Sequence, residues 1–287
     1  MHITAKVPGS CGELVQGTVQ GIPFLVTCPV NLYTRVTISD TPQAPDGLGS
    51  KSKTALERTL QYLGQKDFPY GISLTSELPI GKGMASSSAD IAAVCFAVAA
   101  ACGRQLSAAE VSRIAAGIEP TDGIFFDGVV RINHMTGECL EHLGTLPPLK
   151  IAVFDTGGAV DTLKFHERSD LQELNLQNET KIKDALELLR QPQDATAVAE
   201  AATRSARANQ LILQKHDLEA VIDLAKEQGA LGVNIAHSGT IIGILFAPET
   251  GLALIEDKAQ RIAHAFRHLQ YLQCVELISG GYTIENG

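Results

Sequence analysis

The segment from Leu78 to Ala93, LPIGKGMASSSADIAA, runs from a glycine-containing loop through three consecutive serines into ADIAAVCFAVAAAC, an apolar stretch with no polar face. Such a stretch is stable only as a helix buried on all sides, so the loop before it is anchored by the core and is not a solvated linker. A helix that begins near Ser87 or Ser88 leaves its first backbone N–H groups without intrahelical partners, aimed back at the loop. With the helix dipole these groups make an anion site, and phosphate is its natural guest. Gly81 and Gly83 let the main chain approach an anion closely. Ser86, Ser87 and Ser88 can bond its oxygens or reach a magnesium ion, and Lys82 adds a positive charge. A serine N-cap on an ordinary turn is the competing explanation and needs no ligand. Because Gly83 follows Lys82 where Ser or Thr should stand, the loop is not a Walker A loop.

The remainder of the chain narrows the ligand classes. A net charge of −9 with no Lys/Arg cluster excludes the basic face that nucleic acid requires, which leaves small molecules as the expected partners. The N-terminus has no apolar signal core, and the run from Ile91 to Cys102 is too short to span a bilayer, so neither secretion nor membrane insertion is expected. Six cysteines without a CxxC pair read as reduced thiols of a cytoplasmic protein. With 287 residues, 45% of them hydrophobic, the chain can bury one large core or two medium ones.

Strand-like segments at His2 to Val7, Phe24 to Cys28, Leu32 to Ile38 and Tyr70 to Ser76 are rich in β-branched residues and bounded by Gly and Pro. Helical patterns follow at Ser52 to Leu63, after the serines to about Cys102, and after Ser107, a candidate N-cap. Two more strands are expected at Gly128 to Asn133 and Lys150 to Phe154. Pro147 and Pro148 mark the best boundary, dividing the chain into domains 1–148 and 149–287. The second half shows helices at Glu179 to Arg190, Asp194 to Ala208 and Leu218 to Glu227, then strand, helix and strand. The order of elements predicts an α+β fold with helices on a mainly antiparallel sheet.

Within this frame PIGKGMASSSAD resembles the PxxxGLGSSA phosphate-binding motif of the GHMP kinases, the superfamily of galactokinase, homoserine kinase and mevalonate kinase. Pro79, Gly83, Ser86, Ser87 and Ala89 fall on that motif, while Met84 replaces its leucine and Ala85 a glycine. VPGSCGELVQG resembles the N-terminal motif of the superfamily, with Pro8, Gly9, Gly12 and Glu13 in register and Ser10 in place of its lysine. NIAHSGTIIGILF, with Ser238 and Gly239 in the turn, stands where its glycine-rich C-terminal motif belongs. SCGEL-QG, CPV, PIGKGMASS-AD, EPTD and AHSGT, in that order, are similar to the branch that phosphorylates L-threonine.

The resemblance implies a two-domain GHMP kinase fold, with an N-terminal ribosomal protein S5 domain 2-like part and a C-terminal ferredoxin-like α/β sandwich. It also implies ATP and Mg²⁺ as cofactors, and O-phosphothreonine made for the aminopropanol linker of cobalamin. Serine, homoserine or another small alcohol is the near alternative, and a catalytically silent nucleotide-binding regulator the far one. The resemblance assigns Pro79, Gly81, Lys82, Gly83, Met84, Ala85, Ser86, Ser87, Ser88 and Ala89 to the nucleotide. Ser87 becomes a magnesium ligand, Glu119 holds the metal directly or through water, and Asp122 is the base that takes the alcohol proton. An amino-acid substrate needs an acid for its ammonium, for which Glu13 and Asp161 compete, with Thr162, Ser238 and Gly239 as further contacts. Arg131 is a weak candidate for the carboxylate, since a strand-edge arginine is more often solvated. No GxSxG, HExxH or GxGxxG sequence is present, so hydrolase, metalloprotease and dehydrogenase chemistry is discarded.

Overall fold

The computed structural model describes residues 2–158, 170–192 and 194–287. Two 18-residue strands, β1 (His2–Val19) and β2 (Ile22–Ser39), form a hairpin closed by Gln20 and Gly21. Both turn residues have positive φ, 53° and 76°, the backbone sense that matches the twist of the flanking strands. The other strands are β3 (Gly71–Ser76), β4 (Val129–Asn133), β5 (Glu138–Gly144), β6 (Lys150–Asp155), β7 (Gly232–Ile235), β8 (Ile241–Phe246), β9 (Gln270–Glu276) and β10 (Thr283–Asn286). They make one antiparallel sheet in the order β5-β4-β2-β1-β7-β8-β6-β9, with β3 added to β2 and β10 to β1.

The first two strands are longer than the sequence suggests. Pro8, Gly9, Gly12 and Pro29 read as interruptions, yet register shifts between Pro8 and Gly9, Ser10 and Glu13, and Glu13 and Val15 absorb them as bulges. That irregular stretch has a use. There the backbone N–H groups of Ser10 and Gly12 point at the serine loop and not along a regular ladder.

Seven helices complete the described fold: α1 (Ser50–Leu63), α2 (Ser86–Ala101), α3 (Ala108–Ala116), α4 (Leu171–Arg190), α5 (Ala195–Asn209), α6 (Leu218–Glu227) and α7 (Leu252–Ala265). The alanine-rich α2 is buried from Ala89 through Ala99 except at Asp90, and it packs on β1 and β2. Small side chains let that backbone sit close to the sheet. Ser107 caps α3 as expected, and the structure adds a reciprocal capping box with Glu110. The main core lies around α2 and the hairpin, and a smaller one joins Phe154, Phe246, Ile222, Ile255 and Ile262 beneath α6 and α7. After β9 the chain returns to the first core, where the Tyr282 ring stacks on Phe96. No described helix is long and apolar enough to cross a membrane.

Candidate active site

Helix α2 starts at Ser86, one or two residues before the expected start near Ser87 or Ser88. Its N-cap is Ala85, held at φ 55°, and no side chain caps the helix. The serine-cap alternative is therefore not realised, and the first-turn N–H groups remain available to a ligand. The left-handed backbone at Ala85 is the conformation that suits the glycine of the resembled motif.

The loop before α2 is clamped from two sides. Ser10 N–H donates to the Met84 carbonyl at 3.0 Å and Gly12 N–H to the Gly83 carbonyl at 3.4 Å, which ties it to the bulged part of β1. From the opposite side Thr240 and Ile241 donate their N–H groups to the Lys82 carbonyl at 2.9 and 3.2 Å. Gly83 has φ +88°, and a Cβ there would lie 2.5 Å from the Ala236 Cβ, so only glycine allows this approach.

A cavity of about 380 Å³ opens in front of this loop. The Ser87 hydroxyl donates to Glu119 Oε1, while Lys51 Nζ lies 2.5 Å from Glu119 Oε2. Ser88 Oγ donates to Asp122 Oδ2 at 2.8 Å and accepts from the Asp122 N–H at 3.2 Å, locking that carboxylate in place. Thr34 Oγ1 donates to Asp90 Oδ1 at 2.7 Å. Glu13, only 5% exposed, reaches the same cavity from β1.

Four carboxylates thus share one concave space. Burial, with the charge of Glu119 adding to it, pushes Asp122 up to about 6, although the bond from Ser88 opposes the shift. Burial and the negative charge of Asp122 raise Glu13 well above the ordinary glutamate range. Asp90 is raised by burial first and by Glu119 second, against the bond from Thr34. An arrangement that makes its own carboxylates hard to ionise is built for cations to enter.

The raised pKa of Glu13 has a testable sign. A carboxyl whose folded pKa exceeds its unfolded value contributes stability fully at low pH and loses it as pH rises through the folded pKa. Glu13→Gln is therefore expected to raise the melting temperature at pH 8 and by much less at pH 4, read by thermal denaturation at both pH values. An equal shift at both would show that ionisation of Glu13 is not the cause.

Of the residues singled out in the sequence, Glu13, Gly81, Gly83, Met84, Ala85, Ser86, Ser87, Ser88, Glu119, Asp122 and Ser238 line this cavity. Pro79 and Ala89 do not, and Ala89 is fully buried in the core. Lys82 also turns away. Its Nζ pairs with Asp155 Oδ2 at 2.7 Å, at the end of β6. Gly239 backs the loop, and a Cβ on it would lie 2.2 Å from the Lys82 carbonyl oxygen. Asp161 and Thr162 lie outside the described residues. Arg131 lines a different cavity, 3.6 Å from Glu141.

Lys51, Asp90, His134 and His237 carry no motif assignment in the sequence. All four line the cavity. His237 Nδ1 lies 2.7 Å from Gln16 Oε1, and its ring centroid is 5.3 Å from that of His134. No local pattern announces this pair, because the turn after β4, β1 and the loop after β7 meet only in the fold.

Residues 50–127 match the family model described as GHMP kinases N terminal domain, and residues 183–268 the one described as GHMP kinases C terminal. An L-threonine kinase of Salmonella typhimurium is 30% identical over 98% of this chain and 95% of that protein. One of Citrobacter freundii is 33% identical over 84% and 85%. The chain belongs to the GHMP kinases. Solved structures agree in fold: Methanococcus jannaschii mevalonate kinase superposes with a TM-score of 0.73 at 14% identity, covering 96% of this chain and 98% of that one. A putative homoserine kinase of Listeria monocytogenes gives 0.65 at 16% identity, covering 99% and 100%. The two-domain GHMP kinase architecture expected from the motifs is thus the architecture of this kinase.

Proposed function

We propose that this GHMP kinase transfers the γ-phosphoryl group of ATP to the side-chain hydroxyl of a small amino acid, L-threonine, in the cytoplasm, and that the product serves the aminopropanol linker of cobalamin. The boundary between its two domains is placed at residues 148 and 149. The observation that carries the reading is the double pairing at the start of α2. Two successive serines hold two acids, Ser87 with Glu119 and Ser88 with Asp122, beside uncapped helix N–H groups. The two L-threonine kinases similar to this chain support the choice of substrate.

Mg²⁺ is held by one or two carboxylates together with phosphate oxygens and waters, so the Ser87 hydroxyl and the Glu119 carboxylate fit it. When bound, the ion neutralises charge on the transferring phosphoryl group. The rest falls to the chain itself. Backbone N–H groups from Ser86 to Ser88 hold phosphate oxygens, with the loop fixed by Ser10, Gly12 and Thr240. Asp122, oriented by Ser88, accepts the proton of the attacking hydroxyl. Glu13 receives the substrate ammonium, which relieves a carboxylate that burial makes costly to ionise.

The test is ADP formation with five alcohols at equal concentration: L-threonine, L-serine, homoserine, 1-amino-2-propanol and 3-hydroxybutyrate. L-Threonine should be turned over fastest and L-serine more slowly, because one methyl contact separates them by only about 1–3 kcal/mol. 1-Amino-2-propanol and 3-hydroxybutyrate, each lacking one charged group, should give almost none. A faster rate with homoserine or with an alcohol that is not an amino acid would remove the threonine assignment and leave the family intact.

A further inference from the structure

Among the described residues one group of metal-ligating side chains stands apart from the cavity of the four carboxylates: His216, Asp217 and His268. His216 and Asp217 lie in the connection between α5 and α6, and His268 in the turn between α7 and β9, so two segments distant in sequence bring them together. One ligand atom from each residue lies within 4.8 Å of the others. His216 Nδ1 is 2.8 Å from Asp217 Oδ2, and the His216 and His268 rings meet edge to face with their centroids 5.3 Å apart. Phe266 packs edge to face against the same His268 ring at 6.1 Å.

Two features set this group apart from an ordinary surface pair. Asp217 is the N-cap residue of α6, a position from which an aspartate commonly accepts a first-turn N–H, as Asp194 does for α5 by accepting from Ala197. Asp217 caps nothing, and its carboxylate is turned to the imidazole instead. The second feature is that exposed ligands stand on an anchored backbone. Gln210 bonds both the N–H and the carbonyl of Lys215, at 2.7 and 2.9 Å, and the buried Lys215 Nζ donates to the Gly239 carbonyl. On the other side Leu269, beside His268, is buried and donates its N–H to the Phe266 carbonyl at 2.8 Å. Two imidazoles with one carboxylate suit zinc and its neighbours, whereas Mg²⁺ prefers oxygen ligands throughout. Tetrahedral coordination with bonds of about 2.0–2.1 Å places ligand atoms about 3.3 Å apart. An entering ion takes the place of the proton between His216 and Asp217, and rotation of exposed side chains closes the remaining gap to His268.

We propose that His216, Asp217 and His268 form a site for a divalent transition-metal ion of the Zn²⁺ class, with water as the fourth ligand. The ion ties the connection between α5 and α6 to the turn between α7 and β9. It is distinct from the Mg²⁺ of the phosphoryl-transfer reaction, and the assignment does not depend on which alcohol the kinase uses.

The experiment titrates Zn²⁺ into the full chain, free of any histidine tag and stripped of metal, by calorimetry in the presence of excess Mg²⁺. The wild type should bind one equivalent. His268→Ala and Asp217→Asn should each weaken that binding at least about tenfold, while Glu119→Gln, which alters the active-site cavity, should bind as the wild type does. Co²⁺ in place of Zn²⁺ should give the visible absorption of a tetrahedral ion in the wild type and lose it in His268→Ala. Zn²⁺ should also raise the melting temperature of the wild type and not that of His268→Ala. Without metal the two should melt alike, because the side chain removed is exposed. Absence of stoichiometric binding, displacement of the ion by Mg²⁺, or binding that His268→Ala leaves unchanged would overturn the proposal and leave His216 and Asp217 a surface ion pair. Loss of the ion in Glu119→Gln alone would equally overturn it, by locating the metal among the active-site carboxylates.

Discussion

Asp122→Asn is expected to lower kcat by about 10²- to 10⁴-fold, the range for losing a positioned general base. The substitution keeps the size of the side chain and an oxygen for the Ser88 hydroxyl, which donates to it at 2.8 Å, so the loss is one of proton acceptance. The pH dependence fixes the sign. Asp122 must be ionised to accept the proton, and burial followed by the repulsion of Glu119 sets its pKa at about 6, so kcat/KM should decline as pH falls below about 6. That acid limb should be absent in the asparagine variant. Stability should move the other way. The folded pKa lies above the ordinary aspartate value, so Asp122 contributes stability at low pH that is lost as pH rises through about 6. The variant should therefore melt no lower than the wild type at pH 7.5. A kcat loss below about tenfold, only ~1.4 kcal/mol of barrier, would make Asp122 an orienting residue in a mechanism without a base.

The second large effect concerns the pair at the metal position. Ser87→Ala is expected to reduce turnover and raise the Mg²⁺ concentration for half-maximal rate by about 10- to 100-fold, because Glu119 loses the hydroxyl that donates to it. Affinity for the nucleotide should change far less, since the loop holds phosphate through its backbone and is fixed by Ser10, Gly12 and Thr240. Glu119→Gln should give a similar loss. The double variant should be little worse than either single one, because the two side chains act as a unit. Additive losses in kinetic titrations with Mg²⁺ would show that Ser87 and Glu119 serve separate roles.

The parts of the site that could be read from sequence are those carried by one contiguous segment. The apolar run after the serines could only be a buried helix, and its start lies one or two residues before the expected position. Glu119 and Asp122 were found because EPTD is compact. The contacts that decide the chemistry were not local. Lys82 looks like a phosphate ligand until β6 places Asp155 2.7 Å from it. Lys51 meets Glu119 only because α1 and the EPTD loop converge. His134 and His237 come from the turn after β4 and from the loop after β7.

The same distinction holds for the fold. Prolines and glycines were read as strand ends, and the structure turned them into bulges that keep β1 and β2 continuous while freeing the N–H groups of Ser10 and Gly12 for the phosphate loop. β5 and β10 escaped notice because ECLEHLG and TIEN are short and carry no apolar alternation. Helix α4 begins at Leu171, earlier than the apolar pattern from Glu179 suggests, since its first turns expose residues such as Leu176 to solvent.

The most direct test of phosphoryl transfer to a side-chain hydroxyl is the chemical identity of the product. Incubation with Mg²⁺, ATP and L-threonine, followed by phosphorus NMR before and after hydroxylamine, distinguishes a phosphomonoester from an acyl phosphate. The geometry of Asp122 and Ser87 predicts one new phosphomonoester, formed in equal amount with ADP, dependent on threonine and unchanged by hydroxylamine. A hydroxylamine-labile product, or inorganic phosphate as the sole partner of ADP, would contradict it.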